Sequence, residues 1–236
     1  QVYIGENLGS PGERILTGRA SELAEIPCAG LAVMLVLNPN SVNPFEPVRD
    51  EMLMRTKVPM TKEEVRWVSV ARLGVQPGDT VWDVGAGTGA VTFELARKAM
   101  DGAVFAVERN TEAVELIAQN RQKLGGFNVH IVPGHAPEVL ADLPKPNCVF
   151  VGGSGGNMRK IIETALEKNP EARIAVNAIA LETLQETQRL FAEFGLQQVE
   201  ITQLSAARGK SIGCYTMMTA NNPVFILSGK GDKYGE

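Results

Sequence analysis

The sequence Val81-Trp-Asp-Val-Gly-Ala-Gly-Thr-Gly89 decides the fold of this chain. Its first four residues form a mostly apolar run that predicts a buried strand, and three glycines spaced two apart follow directly. Glycine adopts backbone conformations that other residues avoid, and it lets a ligand come close to the main chain. Open α/β sheets bind ligands at such turns, beyond the carboxyl end of a strand. The stretch therefore predicts a strand that ends in a ligand-binding turn.

Helical and strand patterns alternate on both sides of this turn. Thr61 with Glu64 three residues later forms a capping box, which predicts the start of a helix that ends at Gly74. Strands are predicted at 80–84, 103–108, 128–132, 147–151 and 172–177, helices at 89–99, 111–124, 157–167 and 181–194, and a short helix after Ala136. Three β-rich runs follow, at 196–204, 212–219 and 224–227. The order predicts an α/β fold with a mostly parallel sheet and antiparallel C-terminal strands.

The residues before this pattern differ in character. Positions 1–37 predict three short strands and a brief helix that could bury little surface by themselves, so we expect the end of a larger domain. Positions 38–57 begin with a stretch rich in proline and asparagine, and we predict a linker there. The chain starts with Gln1 instead of methionine, and we expect it to be a fragment.

Composition excludes several classes of function. The 236 residues are 44% hydrophobic, enough for a substantial core, and the net charge is −4 without any run of lysine or arginine, which disfavours nucleic acid as a partner. No apolar run approaches the roughly 18 residues of a membrane span. Cys28, Cys148 and Cys214 lie far apart without metal-ligand spacing. We predict that they are reduced core residues of a cytoplasmic protein that binds no metal.

Two acidic residues narrow the choice of cofactor. Asp83 precedes the glycines, and Glu108 ends the next predicted strand, where an acid accepts hydrogen bonds from ribose hydroxyls. With Ala90 the turn also fits the dinucleotide pattern Gly-x-Gly-x-x-Gly/Ala, so the glycines alone leave NAD or a flavin nucleotide as alternatives. Asp83 favours S-adenosylmethionine, because Asp-x-Gly-x-Gly-x-Gly is the usual methyltransferase form.

Several other stretches are more specific than the glycine turn. They are Val58–Arg66, Gly134–Glu138, Val151–Gly156, Asn177–Thr183 and Ala207–Gly209. In these residues the chain resembles the class I S-adenosylmethionine-dependent methyltransferases, of Rossmann-like fold, that methylate carbon 15 of a precorrin and decarboxylate its ring-C acetate in cobalamin biosynthesis.

The N-terminal residues carry a second resemblance. Residues 1–37, with Glu6-Asn-Leu-Gly9 and Glu13-Arg-Ile15, are similar to the end of the partner carbon-5 methyltransferases of the tetrapyrrole methylase type. The two activities are fused in the precorrin-6Y carbon-5,15-methyltransferases. The resemblance thus implies a methylase remnant at 1–37, a linker at 38–57 and a class I methyltransferase domain at 58–236.

The resemblance also implies the site residues. S-adenosylmethionine would be held by Thr61, Gly85, Ala86, Gly87, Thr88, Gly89, Glu108 and Ala136. The turn Gly152–Gly156, including Ser154, would make room for a bulky flat ring, and Arg208 and Lys210, predicted between two terminal strands, would bind its carboxylates. The alternatives are a helix cap at Thr61, a plain strand-to-helix turn at 152–156 and solvated charges at the tip of a hairpin. His135 stands where the family usually has aspartate, and the family resemblance implies a homotetramer.

The implied chemistry needs few protein groups. A sulfonium methyl is already activated, so the enzyme mainly positions the ring carbon, and the conjugated ring is its own electron sink for decarboxylation. No catalytic acid or base is identified from the sequence. The alternatives are a class I methyltransferase acting on tRNA or protein isoaspartate, a non-catalytic cofactor-binding or oligomer-forming module, and a nucleotide-dependent oxidoreductase.

Overall fold

The chain folds into two compact units, Gln1–Asn43 and Pro44–Glu236. A computed structural model describes residues 1–38, 43 and 46–232. Part of the predicted linker, 39–42 and 44–45, thus lies outside the described residues. Farther along the predicted linker, Val48 and Leu53 are buried in the core of the second unit.

The first unit is a small antiparallel sheet covered by one short helix. Its strands β1, β2 and β3 lie in the order β2-β1-β3, and Val2, Ile4 and Leu23 form its small core. The elements are β1 (Val2–Glu6), β2 (Arg14–Gly18), α1 (Ala20–Leu23) and β3 (Ala32–Val36). All four were expected from the sequence, with small differences in their bounds.

The second unit alternates strands and helices, as predicted. Its elements are α2 (Glu63–Leu73), β4 (Thr80–Val84), α3 (Ala90–Lys98), β5 (Ala103–Glu108), α4 (Thr111–Leu124), β6 (Val129–Pro133), β7 (Cys148–Val151), α5 (Met158–Lys168), β8 (Arg173–Ala178), α6 (Leu181–Glu193), β9 (Gln197–Leu204), β10 (Ala207–Ile212), β11 (Tyr215–Ala220) and β12 (Val224–Lys230). Two 3-10 turns, Asp50–Met52 and Glu138–Asp142, complete it, the second at the place of the short helix predicted after Ala136.

Seven strands form the central sheet, in the order β6-β5-β4-β7-β8-β12-β9. The first five are parallel, and β12 runs antiparallel to both β8 and β9. A hydrophobic core lies on each face of the sheet, and successive strand residues point to opposite faces. Val81 packs in the core that contains α2, α3 and α4, whereas the next residue, Trp82, packs in the core that contains α5 and α6. The predicted fold class, a Rossmann-like α/β sheet with antiparallel C-terminal strands, is therefore confirmed.

This topology fixes where a ligand can bind. The chain builds the sheet outward from β4 through β5 and β6, then returns to place β7 on the other side of β4. The connection that follows β4 and the connection that follows β7 thus run toward opposite edges of the sheet. This opens a crevice at the carboxyl ends of these two strands.

Three local predictions were wrong. Arg208 and Lys210 do not lie at the tip of a hairpin but within strand β10, which pairs with β11 in a separate two-stranded ribbon that turns at Gly213. Helix α2 begins after Lys62, so Thr61 is not its N-cap, and no side chain caps this helix. Of the three cysteines only Cys148 is buried; Cys28 and Cys214 are exposed, and all three are free thiols.

Candidate functional site

The glycine turn joins β4 to α3 and requires glycine for two physical reasons. Gly85, Gly87 and Gly89 have φ values of 74°, 56° and 77°, in the left-handed region that side chains disfavour. A Cβ atom on Gly85 would also lie 2.6 Å from the carbonyl oxygen of Gly153, and one on Gly89 would lie 2.8 Å from the ring of Phe93. Gly85 therefore lets the two glycine turns touch, while Gly89 lets α3 pack closely.

A cavity of about 630 Å³ lies beyond the carboxyl ends of β4, β5, β7 and β8. Eight of the predicted site residues line it: Thr61, Gly85, Ala86, Gly87, Thr88, Glu108, Ala136 and Ser154. Gly89, Arg208 and Lys210 do not line the cavity. The sequence thus places most of the predicted cofactor residues around one space, in the crevice that the topology creates.

Glu108 holds the glycine turn in place. Its Oε2 atom accepts a hydrogen bond from the backbone N–H of Gly87 at 2.8 Å, and its Oε1 atom accepts two more, from Arg109 at 2.8 Å and Asn110 at 2.9 Å. A carboxylate offers about four lone-pair sites, so these three donors leave about one. A ribose diol that donates one hydrogen bond from each hydroxyl would need two such sites. One of its bonds would therefore have to replace the bond from a backbone N–H.

Asp83 is buried beneath the turn, at the floor of the cavity. Its Oδ2 atom accepts a hydrogen bond of 2.5 Å from the hydroxyl of Thr92, while Oδ1 is buried without a partner among the described residues. The pKa of Asp83 is raised to about 7: burial is the largest cause, the hydrogen bond from Thr92 opposes it, and the charge of Glu108 adds to it. The pKa of this carboxyl group therefore lies near neutral pH, and one of its oxygens has no partner among the described residues.

The segment after β6 forms the far wall of the cavity. His135 and Ala136 both line it. The carbonyl oxygen of Ala136 accepts a hydrogen bond from the side chain of Asn157 at 3.1 Å, which ties this wall to the turn before α5. The side chain of His130, inside β6, stacks on Phe105 with ring centroids 4.9 Å apart. The role of His130 is thus in packing.

The segment before α2 closes the cavity above the glycine turn. A Cβ atom on Gly87 would lie 3.2 Å from the carbonyl oxygen of Pro59, so little space separates the two segments. The carbonyl oxygen of Thr61 accepts a hydrogen bond from the fully buried Arg66 at 2.8 Å. Thr61 is therefore held through its backbone, and its side chain contributes to the lining.

Arg208 binds carboxylates of this chain. Its guanidinium group makes a two-pronged contact with Glu64, at 2.7 and 2.6 Å, and also donates to Asp50 at 2.8 Å. These acceptors raise the pKa of Arg208 above its ordinary value, with Glu64 as the largest cause. Asp50 in turn accepts a bond from Arg66 at 2.7 Å. The predicted carboxylate affinity of Arg208 is thus used within the protein, and the side chain of Lys210, on the same strand, is exposed.

Three polar residues outside the predicted site also line the cavity. Asn177 is the last residue but one of β8 and lines the space, Arg109 follows Glu108 there, and Asn157 joins two of its walls. A polar residue at the end of a buried parallel strand is a signal for a ligand contact, since the carboxyl ends of the strands meet at the site. Asn177 follows the apolar run at 174–176, so this signal was present in the sequence.

In the part of the chain that the structure describes, no group of three or more His, Cys, Asp or Glu side chains is arranged to hold a metal ion. None of the helices in that part is long and apolar enough to cross a membrane.

The chain matches a family model described as precorrin methyltransferase domain over residues 53–230. It is 42% identical over 184 residues to the probable cobalt-precorrin-6B C(15)-methyltransferase (decarboxylating) of Pyrobaculum calidifontis, covering 77% of this chain and 94% of that protein. It is 34% identical over 183 residues to the cobalt-precorrin-6B C(15)-methyltransferase (decarboxylating) of Salmonella typhimurium, with coverages of 77% and 94%.

A solved structure resembles most of this chain. The crystal structure of precorrin-6Y C5,15-methyltransferase from Geobacter metallireducens superposes with a TM-score of 0.74 at 34% identity, covering 78% of this chain and 96% of that one.

Proposed function

The chain belongs to the precorrin methyltransferase domain family, and we therefore propose that it transfers a methyl group from S-adenosylmethionine to carbon 15 of a precorrin and decarboxylates the ring-C acetate. The observation that carries this proposal is the cavity of about 630 Å³ at which the glycine turn, Glu108 and the Gly152–Gly156 turn meet. A cofactor and a flat substrate need such adjoining surfaces.

The cavity suits S-adenosylmethionine in its shape and its polar groups. Glycines at 85 and 87 let the turn approach Gly153 and Pro59 closely beside the cavity, and the Oδ1 atom of Asp83 is an acceptor that no described residue uses. When bound, S-adenosylmethionine supplies an activated methyl group. We propose that Thr61, the turn from Gly85 to Gly89, Glu108 and the backbone of Ala136 hold it.

The chain's own residues bind the two reactants, orient them and exclude water. The segment from Val58 to Lys62 covers the glycine turn, and Gly152–Gly156 forms the side of the cavity that is free for a ring. Positioning of two reactants accounts for much of the rate in such transfers. No acid or base is assigned, because the electron pair released by decarboxylation enters the conjugated ring.

Several further properties belong to the proposal. The substrate is a tetrapyrrole, Ser154 contacts it, and the exposed Lys210 of β10 meets its carboxylates. The first unit is the C-terminal remnant of a tetrapyrrole methylase domain, the enzyme works in the cytoplasm, and it assembles as a homotetramer. Light scattering of the purified chain tests the last point, since a monomer would contradict it.

The decisive experiment is incubation with S-adenosylmethionine and a carbon-5-methylated precorrin, followed by mass spectrometry. We expect the gain of one methyl group and the loss of one carbon dioxide. An unchanged substrate mass, despite measured binding of S-adenosylhomocysteine, would contradict the proposed substrate. Protection against thermal unfolding by NAD instead of S-adenosylhomocysteine would point to an oxidoreductase.

A matched pair of variants makes the experiment specific. Gly87→Glu places a side chain on a residue with a positive φ, and its Cβ atom would lie 3.2 Å from the carbonyl oxygen of Pro59. This variant should lose cofactor binding. Gly78→Glu makes the same substitution at an exposed position with no atom within 4 Å of the added Cβ, and it should keep both activities.

A further inference from the structure

A second space, of about 270 Å³, adjoins the main cavity between the ends of β7 and β8. It shares Gly152, Gly153, Ser154, Asn177 and Ile179 with the main cavity, and we call it the neutral recess because every described residue that lines it is uncharged. The main cavity, in contrast, is lined by Lys62, Asp83, Glu108 and Arg109 among others. The two spaces therefore offer different electrostatic surroundings to parts of one ligand.

One residue that lines the neutral recess, Asn177, carries an unused hydrogen-bond donor. The Nδ2 atom of Asn177 is buried and has no partner among the described residues, while its Oδ1 atom lies 2.9 Å from the hydroxyl of Ser69. Ser69 is fully buried on α2 and also lies 2.8 Å from the carbonyl oxygen of Val65, so its position is fixed from behind. A buried donor without a partner costs free energy unless a ligand supplies the acceptor.

Two helices begin at the neutral recess. Met158 starts α5 and Thr183 lies in the first turn of α6; both line the recess, and neither helix has a side-chain cap. The first turn of a helix presents free N–H groups and a partial positive charge. Together with Asn177, these groups suit a carboxylate, although no lysine or arginine is among the described residues that line the recess.

We propose that the neutral recess binds the acetate side chain that loses carbon dioxide, with Asn177 as the donor to its carboxylate. This inference rests on the proposed function. In the step, the bond between the acetate methylene and its carboxylate breaks, the electron pair enters the conjugated ring, carbon dioxide leaves, and the methylene carbon takes a proton from water. Decarboxylation removes the negative charge from the recess, because the electron pair moves into the ring. Since dipoles and not a cation hold the carboxylate, no buried cation is then left without a partner.

Mass spectrometry of the full chain's products tests this assignment, because methylation and decarboxylation change the mass separately. Asn177→Asp keeps the shape of the side chain but adds a negative charge, which repels a carboxylate. We expect it to slow decarboxylation about tenfold or more relative to methylation, so that a methylated product with its carboxylate intact accumulates. Thr183→Asp places the same charge in the recess from the first turn of α6, where an acid favours the helix, and should give the same product.

The control is Gln203→Glu, which adds the same charge at an exposed position on β9, outside both cavities, and should keep the wild-type ratio of products. Equal loss of both reactions in Asn177→Asp and Thr183→Asp, or no change in either, would overturn the assignment while the wild type still confirms the proposed function. A wild-type enzyme that leaves the substrate unchanged would overturn the proposed function and this assignment with it.

Discussion

The burial of Asp83 costs folding free energy, and the contacts of its carboxyl group with neighbouring residues do not offset this cost. Its carboxyl group is fully buried, and the single hydrogen bond from Thr92 reaches only one of its oxygens. Burial raises its pKa from the ordinary 3.8 to about 7, so the folded state binds a proton that the unfolded state releases between these values. Folding stability from this group is therefore lost as pH rises from about 4 through about 7.

We predict that Asp83→Asn removes this pH dependence. The amide stays neutral and can still accept the bond from Thr92, so the free energy of unfolding of the variant, relative to wild type, should rise by up to about 4 kcal/mol between pH 4 and pH 8. Urea denaturation at several pH values measures this difference. A difference that stays constant over the range would show that Asp83 is ionised throughout. The variant should also bind S-adenosylhomocysteine more weakly at pH 8, if Oδ1 is the acceptor that the cofactor uses.

Gly85 is constrained more tightly than the other glycines of the turn. Alanine there combines a left-handed φ of 74° with a Cβ atom 2.6 Å from backbone that cannot rotate away. The conformational part alone costs about 1 to 2 kcal/mol. We predict that Gly85→Ala lowers the melting temperature and separates the two glycine turns enough to abolish S-adenosylhomocysteine binding in calorimetry. Gly195→Ala, at a φ of 66° with open space around it, is the control that carries the conformational cost alone.

The ribbon β10–β11 is held to the rest of the second unit by charge more than by apolar packing. It forms its own two-stranded sheet, almost all of its residues are exposed, and Arg208 joins it to Glu64 and Asp50. Because the side chain of Arg208 is 36% exposed, solvent screens these contacts. Their main effect is thus on the position of the ribbon and of the segment before α2.

Arg208→Gln should therefore loosen the ribbon without unfolding the protein. We predict a loss of about 1 kcal/mol in global stability and faster amide hydrogen exchange in residues 207–220. Lys210→Gln, two residues along the same strand, is the control and should leave the exchange rates as they are. Equal exchange rates in both variants would mean that the ion pairs do not hold the ribbon.

The central sheet could be predicted from the sequence, whereas the ribbon could not. Each parallel strand is a short apolar run between turn signals, and β5 and α4 were predicted with their observed bounds. Strand β10, with Ala207-Arg-Gly-Lys-Ser-Ile212, has no apolar alternation because both of its faces are exposed, so nothing in its pattern predicts a strand. The pairing of Arg208 with Glu64 joins residues 144 positions apart, which local patterns do not encode.

The same distinction applies to the candidate site. The glycine turn and Glu108 could be predicted because cofactor binding requires these residue types at particular positions after two successive strands. The neutral recess was not found, since it depends on Ser69 and Asn177, which are far apart in sequence and in contact only through folding. Thr61 was assigned to a helix cap because its spacing to Glu64 fits a capping box, but Glu64 instead binds Arg208.

Each of the two units has a core of its own. The core of the first consists of Val2, Ile4 and Leu23 with two partly buried neighbours, whereas both faces of the central sheet in the second unit are covered by large clusters that include no described residue before Val48. Every described residue that lines the main cavity or the neutral recess belongs to the second unit.

We therefore predict that a fragment spanning residues 44–236 folds and binds S-adenosylhomocysteine with the affinity of the whole chain. A core that small cannot fold independently of other structure, so the fragment 1–43 alone should show no cooperative thermal transition. Calorimetric titration of the long fragment and circular dichroism of both fragments measure these outcomes. A long fragment that folds but binds at least tenfold more weakly would show that the first unit contributes to the site, and its product ratio would then reveal which of the two reactions depends on it.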